Sequence, residues 1–235
     1  MNLLLLQPDQ YEGNQARIED ALRLRHVQEH LKLAVGDTLK IGLRDGQKGS
    51  ARVASLEPTR LLLTEVTLDQ PPPPKLPLTL ILALPRPKVL RRLIKDAVTL
   101  GVEKLILLQS FRVEKSYWQS PFLQQIDDFI QLGLEQAGDT VWPQVELRKR
   151  FKPFVEDELP ALCQGRLGLV AHPYAPAPMP VAVQQPVTLV IGCEGGLIPY
   201  EIELLAKHGC QPVHLGQRIL RTETAMAAVA GRLFV

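Results

Sequence analysis

Two stretches near the carboxyl end hold residue types that could do chemistry. The first, Val187–Gly196, reads VTLVIGCEGG: an apolar run closes in Gly-x-Glu-Gly-Gly, and Pro199 just beyond suits the first turn of a helix. Glycines at the end of a strand let the backbone approach a ligand closely. Open α/β sheets take their ligands at that edge. A tight turn that simply requires glycine explains the same residues. The spacing matches neither GxGxxG nor GxxxxGK[ST], so the usual phosphate loops are absent. The second stretch, His214–Ala225, reads HLGQRILRTETA. A strand ending at Leu215 runs into an apolar and basic loop, then a helix with Thr222 as its N-cap. Arg218 and Arg221 stand among apolar residues, and a guanidinium buried there needs an anion. Glu223 would serve, and so would an RNA phosphate. An ordinary surface loop with exposed arginines is the alternative.

A third stretch is basic. Val89, Leu90, Leu93, Ile94, Ala97 and Val98 recur at helical spacing and form one face. Lys88, Arg91, Arg92 and Lys95 share the opposite face. With Arg86 they make five cations in ten residues, and no acid follows until Asp96. Such a stripe is either a solvated helix face or a track for phosphates. Arg148, Lys149, Arg150 and Lys152 form a second cluster. The five histidines show no metal spacing, although His172 ends an expected strand on the ligand edge. Cys163, Cys193 and Cys210 lack a paired base. Tyr117 and Trp118 could stack on a nucleobase or cap a core.

These residues need a scaffold. The 235 residues are 46% hydrophobic and 22% charged, a globular composition, and the net charge of +2 does not by itself announce a nucleic-acid partner. No long uncharged apolar stretch suggests a membrane span, and MNLLLLQPDQ lacks the basic start of a secretory signal. Three widely spaced cysteines argue against a disulfide scaffold and for a reducing compartment. The first 70 residues read as mostly β: a helix over Asn14–Lys32 carrying Ile18, Leu22 and Leu31, then strands at Thr38–Arg44, Gly49–Leu56 and Arg60–Val66. Asp45-Gly46 marks a hairpin. Pro71–Pro74 form a stiff connector and a domain boundary.

Beyond it, strands and helices alternate. Strands are expected at Leu76–Leu84, Lys104–Gln109, Gln144–Leu147, Leu167–Ala171, Val187–Ile191 and Pro212–Leu215. Helices are expected at Pro87–Leu100, Phe122–Gln136, Phe154–Cys163, Tyr200–Lys207 and Thr222–Phe234. His172–Pro186, with five prolines, reads as a structured loop. This rhythm predicts a mostly parallel sheet covered by helices on both faces.

The strings IGCEGG and LGQRILRTETA closely resemble the carboxyl-terminal signature of the RsmE family, in the SPOUT superfamily of knotted methyltransferases. Its members typically read IGPEGG and LGxRILRTETA, so Cys193 stands where proline is usual. Leu84-Pro85 before the basic helix, Glu135-Gln136-Ala137-Gly138, and, in the first domain, His26-Val27 and Leu33–Asp37 are similar to further family segments. Thr99 replaces a usual glutamate, and Asp139 stands where an arginine is common. The resemblance implies an α/β fold: a PUA-like β-barrel over residues 1–70, and a SPOUT trefoil-knot domain with a mostly parallel sheet over residues 75–235.

It also implies a cytoplasmic homodimer, S-adenosyl-L-methionine as cofactor, and methylation of uridine N3 in 16S ribosomal RNA, free or in the small ribosomal subunit. Carried onto this chain, the cofactor would sit against Gly192, Glu194, Gly195, Gly196, Leu215, Gly216, Ile219 and Leu220. Arg221 would stabilise the developing charge or grip phosphate, and Glu223 would act as base or orient Arg221. Arg86, Lys88, Arg91, Arg92 and Lys95 would bind RNA. A knotted methyltransferase with another RNA target, or a non-catalytic RNA-binding or ribosome-assembly protein, are the competing expectations.

Overall fold

The computed structural model describes residues 2–27 and 33–234. The chain divides into two compact units, residues 1–73 with 134–142, and residues 74–133 with 143–235. Among the described residues no helix is long and apolar enough to cross a membrane.

The first unit is a six-stranded sheet made of β1 (Leu4–Leu6), β2 (Tyr11–Glu12), β3 (Gln15–Ile18), β4 (Thr38–Leu43), β5 (Lys48–Glu57) and β6 (Arg60–Gln70), with α1 (Ala21–His26) between β3 and β4. The strand order is β1-β4-β5-β6-β3-β2. Among the described residues only the β1–β4 pair of this sheet is parallel. Alternation drives it: Leu39 and Ile41 on β4, Val53 on β5, and Leu61 and Leu63 on β6 meet in one core with Leu4, Leu6 and Ile18. The hairpin signal at Asp45 marks a turn in which Asp45 adopts φ +56°. Its carboxylate accepts from the Trp142 backbone N–H at 2.7 Å.

The helix expected over Asn14–Lys32 does not begin at Asn14. Gln15–Ile18 is a strand with alternating burial, paired with Leu61–Leu63 of β6. Ile18 therefore belongs to a period of two, not 3.6. The helix starts only after Asp20, whose side chain accepts from the Arg23 N–H as an N-cap. Leu31 and His30 lie outside the described residues.

The second unit has seven strands: β7 (Leu76–Ala83), β8 (Val102–Leu108), β9 (Gln144–Arg148), β10 (Leu167–Ala171), β11 (Ala177–Pro178), β12 (Val187–Ile191) and β13 (Gln211–His214). All pairs are parallel, in the order β11-β13-β10-β12-β7-β8-β9. The helices are α2 (Pro87–Thr99), α3 (Ile126–Ala137), α4 (Phe151–Pro153), α5 (Leu159–Cys163), α6 (Pro199–Lys207) and α7 (Thr222–Leu233). The last residues of α3 belong to the first unit. Every residue of β12 is buried, as a central parallel strand requires. Ile81, Ile106, Val170 and Val190 pack with Phe154, Leu159 and Leu205 into one core.

The helix expected at Phe154–Cys163 begins earlier, at Phe151, and passes through a wide π turn at Phe154–Glu158 before α5. Pro160, at the start of α5, cannot supply an N–H to a regular α ladder.

Candidate active site

Strand order changes direction about β7: β8 and β9 extend to one side, β12, β10 and β13 to the other. A cleft of about 700 Å³ opens at the carboxyl ends of β10, β12 and β13. That volume is in the range of small-ligand sites. Three segments wall it: residues 171–176 after β10, residues 191–197 after β12, and the loop from Leu215 to Thr222 that leads into α7.

The glycine turn is built tightly. The Gly196 N–H donates to the Cys193 carbonyl at 2.8 Å, closing a four-residue turn. Gly196 adopts φ +75°, a conformation that side chains disfavour. A Cβ on Gly195 would sit 3.2 Å from the Arg112 side chain, whose guanidinium donates to the Gly195 carbonyl. The Glu194 carboxylate accepts from the Arg86 N–H at 3.2 Å, joining the turn to the start of α2. Behind it, Pro199 occupies the first turn of α6. The buried Glu201 carboxylate accepts from the Ile198 N–H at 3.0 Å and the Phe111 N–H at 2.7 Å. Glu201 thus fixes both the helix start and the loop that presents Arg112.

Gly192, Glu194, Gly195, Gly196, Leu215, Ile219 and Leu220 all line the cleft, as does Arg218. Gly216 stands beside it at φ +124°, its N–H donating to His214 Nδ1 at 3.0 Å. Arg221 is exposed and is itself the N-cap residue of α7. Thr222, expected at that position, is the first helical residue. Its hydroxyl approaches the Gly192 carbonyl at 3.5 Å and so ties the two loops together.

Glu223 is not seen with Arg221. It pairs with Arg92 of α2 at 3.4 Å, because α2 packs against α7.

On α2, Leu90, Leu93, Ile94, Ala97 and Val98 are buried. Arg86, Lys88, Arg91 and Arg92 are exposed and Lys95 is half-buried. Arg91 leans over the Phe129 ring at 5.9 Å. Arg86 and Lys88 border an open groove with Tyr117 and Phe122. Two of the four cations of the second basic cluster meet carboxylates. Arg148 pairs with Glu146 at 2.6 Å and Glu158 at 2.8 Å, and Lys152 pairs with Glu156 at 3.7 Å. Trp118 donates to Gln109 and faces Lys149, so it braces the loop after β8.

His172 and Tyr174 line the cleft, their rings edge to face at 5.7 Å. Burial holds His172 below the usual histidine value. Sequence reasoning missed Arg112 and Glu201. Glu201 carried a faint signal, an acid in the first turn after Pro199. Arg112 carried none, because its partner is 83 residues away.

A parallel α/β sheet whose ligand edge is walled by these loops is the setting of a small-molecule cofactor enzyme. Residues 72–233 match the sequence profile of the RNA methyltransferase domain family. The chain is 30% identical over 212 residues to Ribosomal RNA small subunit methyltransferase E of Treponema pallidum, covering 88% of this chain and 80% of that protein. It is 29% identical over 210 residues to the protein of that name from Synechocystis sp., covering 86% and 67%. Its fold matches the crystal structure of that methyltransferase from Neisseria gonorrhoeae bound to S-adenosyl methionine, with a TM-score of 0.74 at 23% identity over 98% of this chain and 95% of that one. The chain belongs to the ribosomal RNA small subunit methyltransferase E family.

Proposed function

We propose that the chain is an S-adenosyl-L-methionine-dependent methyltransferase that methylates uridine N3 in the 16S RNA of the small ribosomal subunit. The observation that carries this reading is the cleft between the glycine turn after β12 and the loop before α7. Its lining suits a flat adenine joined to a cationic sulfonium amino acid. Leu197, Leu215, Ile219 and Leu220 offer apolar surface, Glu194 and Glu203 offer carboxylates to the cation, and Arg112 and Arg218 offer guanidinium groups to a carboxylate. The backbone of Gly192, Gly195, Gly196 and Gly216 lets a ligand come close. When bound, the cofactor supplies an electrophilic methyl carbon.

The protein's own task concerns the uracil. N3 carries a proton and becomes a good nucleophile only when that proton leaves. Arg221, exposed at the mouth of the helix, stabilises the resulting anion. Glu223 accepts the proton. An RNA phosphate that draws Arg92 away from it frees the carboxylate for that role. N3 lies on the pairing edge, so the base enters unpaired or extruded. Arg86, Lys88, Arg91, Arg92 and Lys95 hold the flanking phosphates.

Residues 75–235 form the SPOUT domain in this reading. β13 lies between β10 and β11, and the Ala182 and Val183 N–H groups donate to the Arg232 and Leu233 carbonyls. This contact of residues 182–183 with residues 232–233 supports a trefoil knot. The six-stranded sheet supports a PUA-like barrel over residues 1–70 that docks RNA. Ile219, 69% exposed, and Tyr200, 49% exposed, supply apolar surface for a homodimer, and the substrate implies a cytoplasmic protein.

Calorimetry with S-adenosylmethionine, together with mass mapping of 16S nucleosides from cells with and without the gene, tests this. Cofactor binding and loss of N3-methyluridine are expected. Loss of a different modified nucleoside would transfer the activity to another RNA target. Absence of cofactor binding would leave an RNA-binding or ribosome-assembly protein.

A further inference from the structure

Two sulfur atoms outside the transfer chemistry lie against each other. Cys163 ends α5 and Cys210 immediately precedes β13, 47 residues apart in sequence, with their Sγ atoms at 3.6 Å. Cys163 is partly exposed and Cys210 is buried. Glycine surrounds the pair. A Cβ on Gly168 would reach to 3.1 Å of the Cys163 Sγ, and one on Gly209 to 3.2 Å of its Cβ. Backbone is thus close on two sides, and the sulfurs face each other in a confined space.

We propose that Cys163 and Cys210 are a modification site at which hydrogen peroxide forms an intramolecular disulfide. The order of attack follows from the surroundings. The hydrogen bond from Cys210, with the Arg166 charge nearby, holds the Cys163 thiol below its ordinary value. The same contact and burial push Cys210 up. Cys163 is therefore the attacking thiolate and Cys210 the resolving thiol.

In the first step the Cys163 sulfur attacks one peroxide oxygen. The O–O bond breaks, the leaving hydroxide takes up the proton that the Cys163 thiol released and becomes water, and the sulfur is oxidised to a sulfenic acid. In the second step the Cys210 thiol gives its proton to the departing hydroxide, and its sulfur displaces that group. The S–S bond forms, and the balance is two thiols and one peroxide to one disulfide and two waters. The sulfurs close from 3.6 Å to about 2.05 Å. The new bond would close a loop that carries β10, β12, α6 and two of the three walls of the cleft. The inference does not depend on which substrate the cleft serves.

The test treats the purified full-length chain with a small excess of hydrogen peroxide, followed by thiol titration and a non-reducing peptide map. Two of the three thiols should disappear, with a peptide linking Cys163 to Cys210 and a mass loss of two hydrogens. Cys193 should remain open to alkylation after denaturation. Cys163→Ser and Cys210→Ser should each abolish the link, and Cys193→Ser should retain it. The oxidised protein should melt roughly 10 °C higher, reversibly with dithiothreitol. Oxygen added to Cys163 without a cross-link, a link to Cys193, a link between molecules, or three surviving thiols would each overturn the proposal.

Discussion

Two arginine–glutamate pairs of similar length sit in the two units and serve opposite ends. In the first unit Arg23 meets Glu135 at 3.2 Å, with side chains 14% and 5% exposed. Arg23 also donates to the Leu5 carbonyl and to Gln10, and Glu135 accepts from the Leu5 N–H at 3.1 Å. Burial lowers the Arg23 pKa, and the charge of Glu135 opposes that. In the second unit Arg92 meets Glu223 at 3.4 Å, with side chains 64% and 25% exposed. The first pair holds the strip of residues 134–142 to its own unit. The second can open toward a ligand at little cost. Distance is nearly the same; desolvation decides what each pair is for.

The largest expected effect tests that contrast on the buried side. Glu135→Ala should destabilise the protein by about 3–5 kcal/mol, because Arg23 loses its buried partner; urea unfolding measures it. Arg92→Ala should cost under about 1 kcal/mol in the same assay. Equal losses would mean that burial does not separate the two pairs.

Next, Arg221→Ala should lower methyl transfer by about 100-fold or more while leaving the unfolding midpoint unchanged. Unaltered turnover would remove Arg221 from the mechanism. A smaller effect is expected from Arg91→Glu combined with Arg92→Glu. RNA affinity should fall about tenfold or more and its salt dependence should flatten by roughly two ions. An unchanged salt slope would make the stripe a solvated face.

The smallest is a pH effect. Burial favours the neutral imidazole of His172, so its stabilising contribution is complete above the unfolded value near 6.5 and is lost as the pH falls through the lower folded value. The imidazolium that forms there would repel a sulfonium. Cofactor affinity should therefore weaken several-fold on acidification, and His172→Gln should remove that dependence.

Much of the second unit was legible because its signals are local. The run of β12, apolar but for Thr188, the proline opening α6 and the period of α2 each declare themselves within one element. The first unit was harder. Ala16 and Ile18 fit a helix and a strand equally until β6 supplies the partner that selects the strand. Glu135-Gln136-Ala137-Gly138 carries no local signal of its role; its buried carboxylate acts in a unit whose strands lie more than sixty residues earlier.

Taken alone, the order of residues determined where the backbone can turn, which faces are apolar, and which loops carry glycine beside charge. These follow from steric limits and hydrophobic spacing over a few residues. Packing decided which side chains meet which partners: Arg112 with the glycine turn, Glu223 with Arg92 rather than Arg221, Cys163 with Cys210. Side chains of distant segments become neighbours only when the sheet order and helix contacts bring them together, and no short-range preference encodes that choice.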